Sequence, residues 1–515
     1  MPDIQATRFR TSMQLAVLGC AALAGLLLRL HNLAGEGLWL DELWAATFTQ
    51  LGLQDTLVAV LRFDVHPPLY YLQLNAWAAL FGRSDAALLA NSVFWGMATL
   101  AAVHLAARRL LGSATATLAV AVTAVAGGEV FYAQELRMYA MMSCLAVIAW
   151  YAAARFATEQ SRAHGIGVVL DTALLAASHG ASVVPVSCVG VFLLLRLGIR
   201  ESLRPRALLV YALIGLSLLP WLINSFLRGV THIAPLSLQG VASTVGGWLF
   251  GFYPAITAGQ AALGCAVVAL AAGAALLSGR ALRDMALAFL LWPVLFGAAV
   301  SVFLRPIWIA RGFEFCAPFA CIAVAALLVR AWQLAAGRTA RFLRAGVVGA
   351  GLALLLAMAT SSSGQAGAGR KMEYREAAAF LRTYLRPGDV VYTPALFTYW
   401  GVARYLVGPS WGDPLAVMDP LRPVRDSNAW DSVYARLGRD WIERLHLLPR
   451  TRSVPVLGAE LVIGWTPSDA VRNAATLWVV GSGDVRPEDL ALCEGEAATR
   501  TQFRGMAVHQ VNCRR

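Results

Sequence analysis

Long apolar runs separated by short polar segments dominate the first 360 residues of the chain. A helix that crosses a bilayer needs about 20 such residues. The pattern predicts about eleven transmembrane helices. They lie near residues 12–31, 86–108, 113–131, 139–156, 165–179, 181–197, 207–226, 259–278, 283–303, 312–333 and 342–360.

The pattern changes after residue 360. Residues 361–370 are mostly small and predict a flexible linker. Residues 371–515 predict an amphipathic helix over Glu373–Leu385, a strand over Asp389–Thr393 and a buried strand over Thr476–Val480. The sequence therefore predicts a polytopic helical membrane domain, residues 1–360, followed by a small α/β domain.

Arginines between the apolar runs predict the topology. Cytoplasmic loops of membrane proteins carry an excess of Arg and Lys. If Pro67–Phe81 lies on the membrane surface instead of crossing it, every later loop obeys this rule. The N-terminus is then cytoplasmic, and the loop 32–85 with its juxtamembrane helices and the C-terminal domain are periplasmic or extracellular. The cytoplasmic arginines are Arg8, Arg10, Arg108, Arg109, Arg155, Arg162, Arg196, Arg200, Arg204, Arg206, Arg280, Arg283, Arg338, Arg341 and Arg344.

Composition supports a membrane protein. The chain has 58% hydrophobic and 14% charged residues, which is too apolar for an ordinary soluble enzyme. Its net charge of +12 comes from basic residues between apolar runs, so a nucleic acid is not an expected partner. Membrane lipids are the expected surroundings.

Two of the eight cysteines differ from the rest. Six lie in apolar segments without CxxC spacing and indicate buried side chains, not a metal site. Cys493 and Cys513 lie in the polar C-terminal part. If that part is outside the cytoplasm, a disulfide between them is permitted.

A pair of adjacent carboxylates opens the loop 32–85. Asp41 and Glu42 stand among large apolar residues in the segment GLWLDE. Carboxylates at a bilayer edge are unfavourable unless they are used or solvated, so the pair is a candidate catalytic site. The alternative is a helix start, with Asp41 as the N-cap and Glu42 in the first turn.

The same loop continues to DVHPPLYY, residues 64–71, in which Pro67 and Pro68 follow His66. Prolines are favoured at the first position of a helix, so a helix that begins here is predicted, with His66 just ahead of it. The apolar residues that follow suit a helix lying in the membrane interface. His66 is either a substrate contact or a structural residue.

Two further clusters fall on the same predicted side. The loop FYAQELRMY holds Glu135, Arg137 and Tyr139, which form either a functional group or a local ion pair. Arg311 lies at the outer end of a late apolar run, as an anion partner or as a residue that reaches the interface.

The order of these motifs resembles the GT-C glycosyltransferases. The resemblance covers roughly residues 12–330. The most similar branch is the bacterial one related to protein O-mannosyltransferases and to the aminoarabinose transferase acting on lipid A. In the aminoarabinose transferase a Lys follows the His directly, whereas this chain has Pro67, which favours the generic HPP branch.

The resemblance implies a role for each candidate. Asp41 is the general base, supported by Glu42, and His66 lies near the donor phosphate. Glu135, Arg137, Tyr139 and Arg311 contribute to donor phosphate and substrate binding. The sequence QELR lacks the DxD spacing that holds metal in oligosaccharyltransferases, so neither a metal nor any other cofactor is expected.

The resulting hypothesis is an inner-membrane enzyme that moves a hexosyl or pentosyl unit from a polyprenyl-phosphate-linked donor to an extracytoplasmic hydroxyl of a lipid, glycan or protein. One alternative is a polysaccharide polymerase or ligase that uses Arg228 and His232. Another is a transporter that uses intramembrane ionisable residues such as Asp171 and His179.

Overall fold

A computed structural model of the 515-residue chain divides into two compact units. The first comprises Met1–Leu33, Leu89–Leu227 and Ile233–Ala368; the second comprises Ala34–Leu88, Arg228–His232 and Gly369–Arg515. The structure describes residues 2–228, 233–252, 256–335, 337, 339–365, 369–393, 396–410, 452–463, 469–482, 490, 492–493 and 496–513.

The first unit is helical. Among the described residues, its helices are α1 (Pro2–Leu30), most of α5 (Asp85–Leu110), α6 (Ser113–Val125), α7 (Gly127–Ala133), α8 (Tyr139–Glu159), α9 (Arg162–Ala176), α10 (Val183–Ser202), α11 (Pro205–Arg228), α12 (Leu238–Phe250), α13 (Ala258–Leu276), α14 (Arg280–Ala286), α15 (Trp292–Phe303), α16 (Ala317–Leu334) and α17 (Ala340–Gln365). A π-helix over Leu287–Leu291 joins α14 to α15, and a 3₁₀-helix over Ala310–Cys316 precedes α16.

Nine helical segments within the described residues are long and apolar enough to cross a membrane, and the bent pair α6 and α7 would make a tenth. The predicted span at 165–179 corresponds to α9, which has only 15 residues. The predicted polytopic helical fold is confirmed, but the described residues give nine or ten candidate spans where the sequence predicts about eleven. The predicted linker is partly helical, because α17 continues to Gln365.

Small residues let these helices approach closely, as is common in membranes where apolar burial does not drive association. The contact between α12 and α13 is an example. A Cβ atom at Gly264 would lie 2.6 Å from the carbonyl oxygen of Gly246, and one at Gly246 would collide with the backbone of Ala261. Both glycines are required by this helix pair.

The second unit combines loop helices with a mixed sheet. The loop 34–88 forms α2 (Leu40–Phe48), α3 (Leu53–Phe63) and α4 (Leu69–Phe81), which confirms the predicted helix after Pro67 and Pro68. The C-terminal elements are α18 (Tyr374–Tyr384), β1 (Val390–Thr393), α19 (Leu396–Leu406), β2 (Arg452–Val456), β3 (Ala459–Ile463), α20 (Asp469–Arg472), β4 (Thr476–Ser482), β5 (Glu496–Phe503) and β6 (Met506–Asn512).

The strands pair in the order β2-β3-β1-β4-β6-β5. The central pairs β3-β1 and β1-β4 are parallel and the outer pairs are antiparallel. One side of the sheet packs on a core that includes Val390, Val462, Leu477 and Val511. The predicted helix over Glu373–Leu385 and the strands Asp389–Thr393 and Thr476–Val480 correspond to α18, β1 and β4. Whereas the sequence assigns the loop 32–85 to the membrane domain, the structure groups residues 34–88 with the C-terminal residues.

Candidate active site

The carboxylate pair lies at the start of α2, in the second unit. Glu42 is fully buried, and its Oε2 accepts a hydrogen bond from the Trp39 N–H at 3.1 Å. Its Oε1 accepts a second hydrogen bond from Nζ of Lys371 at 2.7 Å. Lys371 is only 5% exposed, so this is a buried ion pair. Both oxygens of Glu42 are thus engaged in holding the first turn of α2.

Asp41 has a different environment from its neighbour. It is partly exposed, whereas Glu42 has no exposed surface. Successive residues of a helix point about 100° apart, so the burial of Glu42 directs Asp41 to another side of α2. Of the two acids, Asp41 is the one that an incoming group can reach. The helix-start interpretation holds only in part: Glu42 lies in the first turn and accepts a hydrogen bond from the Trp39 N–H, but the N-cap is Trp39, and Asp41, predicted as the N-cap, is also in the first turn.

A third acid of this loop, Asp64, organises the segment around His66. Asp64 is 5% exposed, and its Oδ2 accepts hydrogen bonds from Trp44 Nε1 and the Tyr71 hydroxyl, each at 2.5 Å. Its Oδ1 accepts a hydrogen bond from the His66 N–H at 2.8 Å. Asp64 therefore links α2, α4 and the turn before the prolines. Asp64 is not among the site residues predicted from the sequence. The available signal is that an Asp side chain often accepts a hydrogen bond from the backbone N–H two residues further on, here His66, and so forms a turn.

Aromatic rings surround the same loop. Trp44 lies 5.3 Å from Phe48 and 5.2 Å from Trp400, measured between ring centroids. Phe48 lies 5.0 Å from Tyr71. Because Trp400 belongs to α19, a C-terminal helix contributes to the aromatic packing against α2. The sequence gives no spacing that would relate Trp400 to this loop.

A second acidic centre of this unit is Asp85. It forms ion pairs at 2.7 Å with Arg375 and Arg404, and its Oδ2 accepts a hydrogen bond from the Tyr405 hydroxyl at 2.7 Å. That hydroxyl in turn accepts a hydrogen bond from the Leu38 N–H. Burial, together with the charge of Asp85, raises the pKa of the Tyr405 hydroxyl, so it keeps its proton and remains a donor.

In the first unit, the predicted loop 134–139 is folded inward. Glu135 and Arg137 are each 5% exposed, and Tyr139 begins α8. The carbonyl oxygen of Glu135 accepts hydrogen bonds from the Ser92 hydroxyl at 2.6 Å and from the Arg137 N–H at 2.7 Å. These contacts fix the backbone on which all three predicted side chains are carried.

Gln134 secures the same loop to the first helix. Its Nε2 donates to the carbonyl oxygens of Leu28, Arg29 and His31, at 3.1, 3.2 and 2.9 Å. The last carbonyls of a helix lack partners within the helix, so Gln134 acts as a C-cap for α1.

Arg311 lies in the 3₁₀-helix and is partly exposed. Tyr132 interacts electrostatically with Arg311, Glu135, Tyr139 and Glu314. The first unit therefore brings Glu135, Tyr139 and Arg311 around one tyrosine. Asp41, Glu42 and His66 all belong to the second unit.

The first unit also contains buried ionisable groups that sequence reasoning passed over. Arg29 is fully buried, and its Nη1 donates to the carbonyl oxygen of Ala124 at 2.9 Å. Glu129 is 2% exposed and interacts electrostatically with Arg29. Glu314 is fully buried, and a Cβ atom at Gly128 would lie 2.7 Å from its Oε1. The sequence signal that could have identified them is an ionisable residue inside an apolar run, which marks a candidate functional site in a membrane helix.

In the second unit, a disulfide joins Cys493 to Cys513, which follows β6. Cys493 is part of the buried core beside the sheet, and Cys513 packs against that core. The bond thus connects the end of β6 to the segment before β5.

Comparisons with known proteins fit this architecture. Residues 65–223 match the family described as dolichyl-phosphate-mannose-protein mannosyltransferase. No curated protein sequence matches the chain. Among solved structures, ArnT from Cupriavidus metallidurans in the apo state is similar, with a TM-score of 0.58 and 14% identity over 97% of this chain and 98% of that one.

Two ligand-bound structures are also similar. ArnT from the same organism bound to undecaprenyl phosphate has a TM-score of 0.59 and 11% identity, over 96% of this chain and 97% of that one. The archaeal oligosaccharyltransferase AglB from Archaeoglobus fulgidus, in complex with an inhibitory peptide and a dolichol-phosphate, has a TM-score of 0.51 and 13% identity, over 92% of this chain and 70% of that one. These similarities show the fold: the chain shares the architecture of ArnT and AglB, and the predicted fold class is confirmed.

Proposed function

We propose that the protein is a membrane glycosyltransferase that moves a hexosyl or pentosyl unit from a polyprenyl-phosphate donor to a hydroxyl of a lipid, glycan or protein. The observation that carries the proposal is the partly exposed carboxyl of Asp41, held next to a buried and fully engaged Glu42, in a chain with the GT-C fold. The family match over residues 65–223, which begins at the HPP motif, supports the same chemistry.

The donor supplies its own leaving group. A polyprenyl phosphate leaves as an anion, so the enzyme needs cations that stabilise the growing charge, not a general acid. Arg137 and Arg311 are the proposed cations, with His66 assisting and Tyr139 and Glu135 lining the substrate site. The undecaprenyl phosphate and dolichol-phosphate in the similar structures support a lipid phosphate as the class of donor.

The acceptor hydroxyl needs a base. A hydroxyl is a weak nucleophile, and a carboxylate within hydrogen-bond reach accelerates its attack by removing the proton. Asp41 takes this role, and Glu42 holds Asp41 in place through the first turn of α2. One base and no covalent intermediate predict inversion at the anomeric carbon. The reaction is proposed to need no metal or other cofactor.

The proposed location is the bacterial inner membrane, with the N-terminus in the cytoplasm and the site on the outer face. The arginine distribution between the apolar runs supports this orientation. The Cys493–Cys513 disulfide is consistent with it, because such bonds persist in oxidising compartments.

A transporter is the second candidate, and a specific observation favours it. Arg29, Glu129 and Glu314 are buried in the helical unit, and buried ionisable residues in membrane helices often line ion or substrate paths. Asp171 and His179 are also buried, at 8% and 5% exposure. The polymerase or ligase alternative depends on the side chain of Arg228 and on His232, which lie outside the described residues.

The test is transfer by the purified protein in lipid nanodiscs, supplied with radiolabelled polyprenyl-phosphate sugars and acceptors of each class. The proposal expects labelled acceptor and free polyprenyl phosphate to appear in equal amounts, at an unchanged rate in EDTA. Movement of intact donor across proteoliposome membranes, without release of polyprenyl phosphate, would instead establish transport. A transfer rate that falls to zero in EDTA and recovers with added divalent cation would contradict the metal-independent part.

A further inference from the structure

We propose that Lys371 is a positioning residue for Asp41, so that the C-terminal part of the chain sets the geometry of the proposed base. This inference rests on the proposed function. Lys371 is the chain's only lysine, and it begins the segment that leads into α18. Its Nζ lies 2.7 Å from Oε1 of Glu42, the residue that follows Asp41.

The pair is buried on both sides, with exposures of 5% for Lys371 and 0% for Glu42. A buried ion pair is a weak source of net stability, but removing one partner leaves an uncompensated charge that strongly perturbs its surroundings. Glu42 would keep the hydrogen bond from the Trp39 N–H but lose the positive charge that lies 2.7 Å from its Oε1. The first turn of α2, which includes Asp41, would have to rearrange to bring the carboxylate to water.

Lys371 itself is held firmly. Its carbonyl oxygen accepts a hydrogen bond from Arg504 Nη1 at 3.2 Å. The Glu373 N–H donates to the carbonyl oxygen of Arg504 at 3.1 Å, and the Arg504 N–H donates to Oε2 of Glu373 at 2.9 Å. Arg504 and Gly505 form the turn between β5 and β6. The turn between β5 and β6 thus fixes the backbone at Lys371 and at Glu373, the residues on either side of Met372.

The chain of contacts therefore runs from the β5–β6 turn to Lys371, from Lys371 to Glu42, and from Glu42 to the turn that carries Asp41. A catalytic group displaced by about 1 Å can lose on the order of 100-fold in rate. A positioning role predicts a lower kcat, because the base is misplaced, with little change in the KM for the donor.

Two measurements test the role in the full-length protein in nanodiscs. The first is hydrogen exchange of the backbone amides in residues 39–45, which needs no substrate. Lys371→Met is expected to speed this exchange roughly tenfold or more. The second is transfer kinetics, in which Lys371→Met is expected to lower kcat by on the order of 100-fold and to leave the donor KM within about threefold.

The control is Arg472→Gln, which removes a positive charge from the same C-terminal part at an exposed residue of α20. Arg472 is not among the residues that lead from the β5–β6 turn to Glu42. Its expected effect on kcat is within about threefold, because exposed substitutions of this kind change stability little. If Lys371→Met does not fold, Lys371→Gln replaces it. The amide of Gln is also a hydrogen-bond donor toward Glu42 but carries no charge. An intermediate loss of kcat is therefore expected.

A double-mutant cycle separates positioning from independent effects. Glu42→Gln combined with Lys371→Met should lose no more kcat than the worse single variant, since both changes disrupt one pair. Losses that multiply, or unchanged exchange in residues 39–45, would overturn the inference. If the wild type transfers no sugar, the proposed function fails, and the exchange result alone decides whether Lys371 fixes the turn.

Discussion

At the scale of single residues, the acids of the loop 34–88 have distinct environments although they look alike in the sequence. Asp41 is partly exposed, Glu42 is paired with Lys371, and Asp64 accepts hydrogen bonds from Trp44, Tyr71 and His66. Burial and partners, not residue type, separate a candidate base from acids that hold the loop.

Asp64→Asn tests the second of these roles. An amide has one oxygen to accept hydrogen bonds, so at least one of the three donors loses its partner. We expect the loop to be destabilised by about 1–3 kcal/mol, with reduced transfer because His66 is no longer fixed. Thermal unfolding and transfer kinetics of the purified variant measure both effects.

Asp55→Asn is the control for that variant, because Asp55 is an exposed carboxyl in α3 of the same loop. Surface changes of this kind are usually within about 0.5 kcal/mol. Equal stability and activity of Asp64→Asn and the wild type would remove Asp64 from the account.

The sequence predicts the chemical type of the site better than its partners. Asp41 and His66, with the two prolines after it, stand out because they interrupt apolar segments of the loop 32–85. The partners of that loop could not be related to it, since their contacts span 290 residues or more: they are Lys371, Arg375, Trp400 and Arg404. No local pattern encodes such long-range pairing.

At the scale of elements, ion pairs connect the loop helices to α18 and α19. Asp85 alone pairs with Arg375 of α18 and Arg404 of α19, and Arg404 is 4% exposed in this pair. Arg404 also donates to the carbonyl oxygen of Arg83. The two C-terminal helices are thereby bound to the end of the loop.

Asp85→Asn is expected to destabilise α19 locally. The buried guanidinium of Arg404 would lose its counter-charge, and breaking a buried pair costs about 3–5 kcal/mol. Hydrogen exchange of residues 396–406 should accelerate by roughly 100-fold or more. Exchange as slow as in the wild type would show that the pair does not hold α19.

The disulfide makes a separate prediction. It closes a loop with a sequence separation of 20 residues, for which chain entropy gives about 3 kcal/mol. Replacing both Cys493 and Cys513 by Ser should lower the stability of the sheet by about this amount. Exchange of β6 amides reports the change, and identical exchange in the two proteins would contradict it.

Strands were harder to predict than helices. The spans follow from the lengths of apolar runs alone, and β1 and β4 are short buried runs of the kind expected in parallel pairs. β2 and β5 are the edge strands; β5 is mostly polar, and β2 contains Pro455, which a strand tolerates mainly at a sheet edge. Neither sequence has the continuous apolar run that marks β1 and β4.

At the scale of the whole molecule, similarity in fold extends over nearly the full length of ArnT, while the matched family covers only residues 65–223. The similarity establishes the architecture only. The proposed reaction has to be argued from the side chains of the loop 34–88. The domain boundary predicted at residue 360 follows composition. The grouping in the structure follows contacts, which include the Lys371 and Asp85 pairs.

The stereochemistry of the proposed transfer is a property of the whole molecule. A single base without a covalent intermediate implies that the product has the opposite anomeric configuration to the donor. NMR coupling constants of the anomeric proton in donor and product measure this directly. Retention of configuration would contradict the one-base mechanism and point to a second carboxyl as a nucleophile.

The most direct test of the central claim compares sugar transfer by the wild type, Asp41→Asn and Asp55→Asn at equal amounts of folded protein. The account predicts that Asp41→Asn loses transfer by a factor of about 100–10,000, the usual contribution of a general base, while it still binds the donor. Asp55→Asn should match the wild type. Transfer by Asp41→Asn at the wild-type rate would contradict the account and exclude Asp41 as the base.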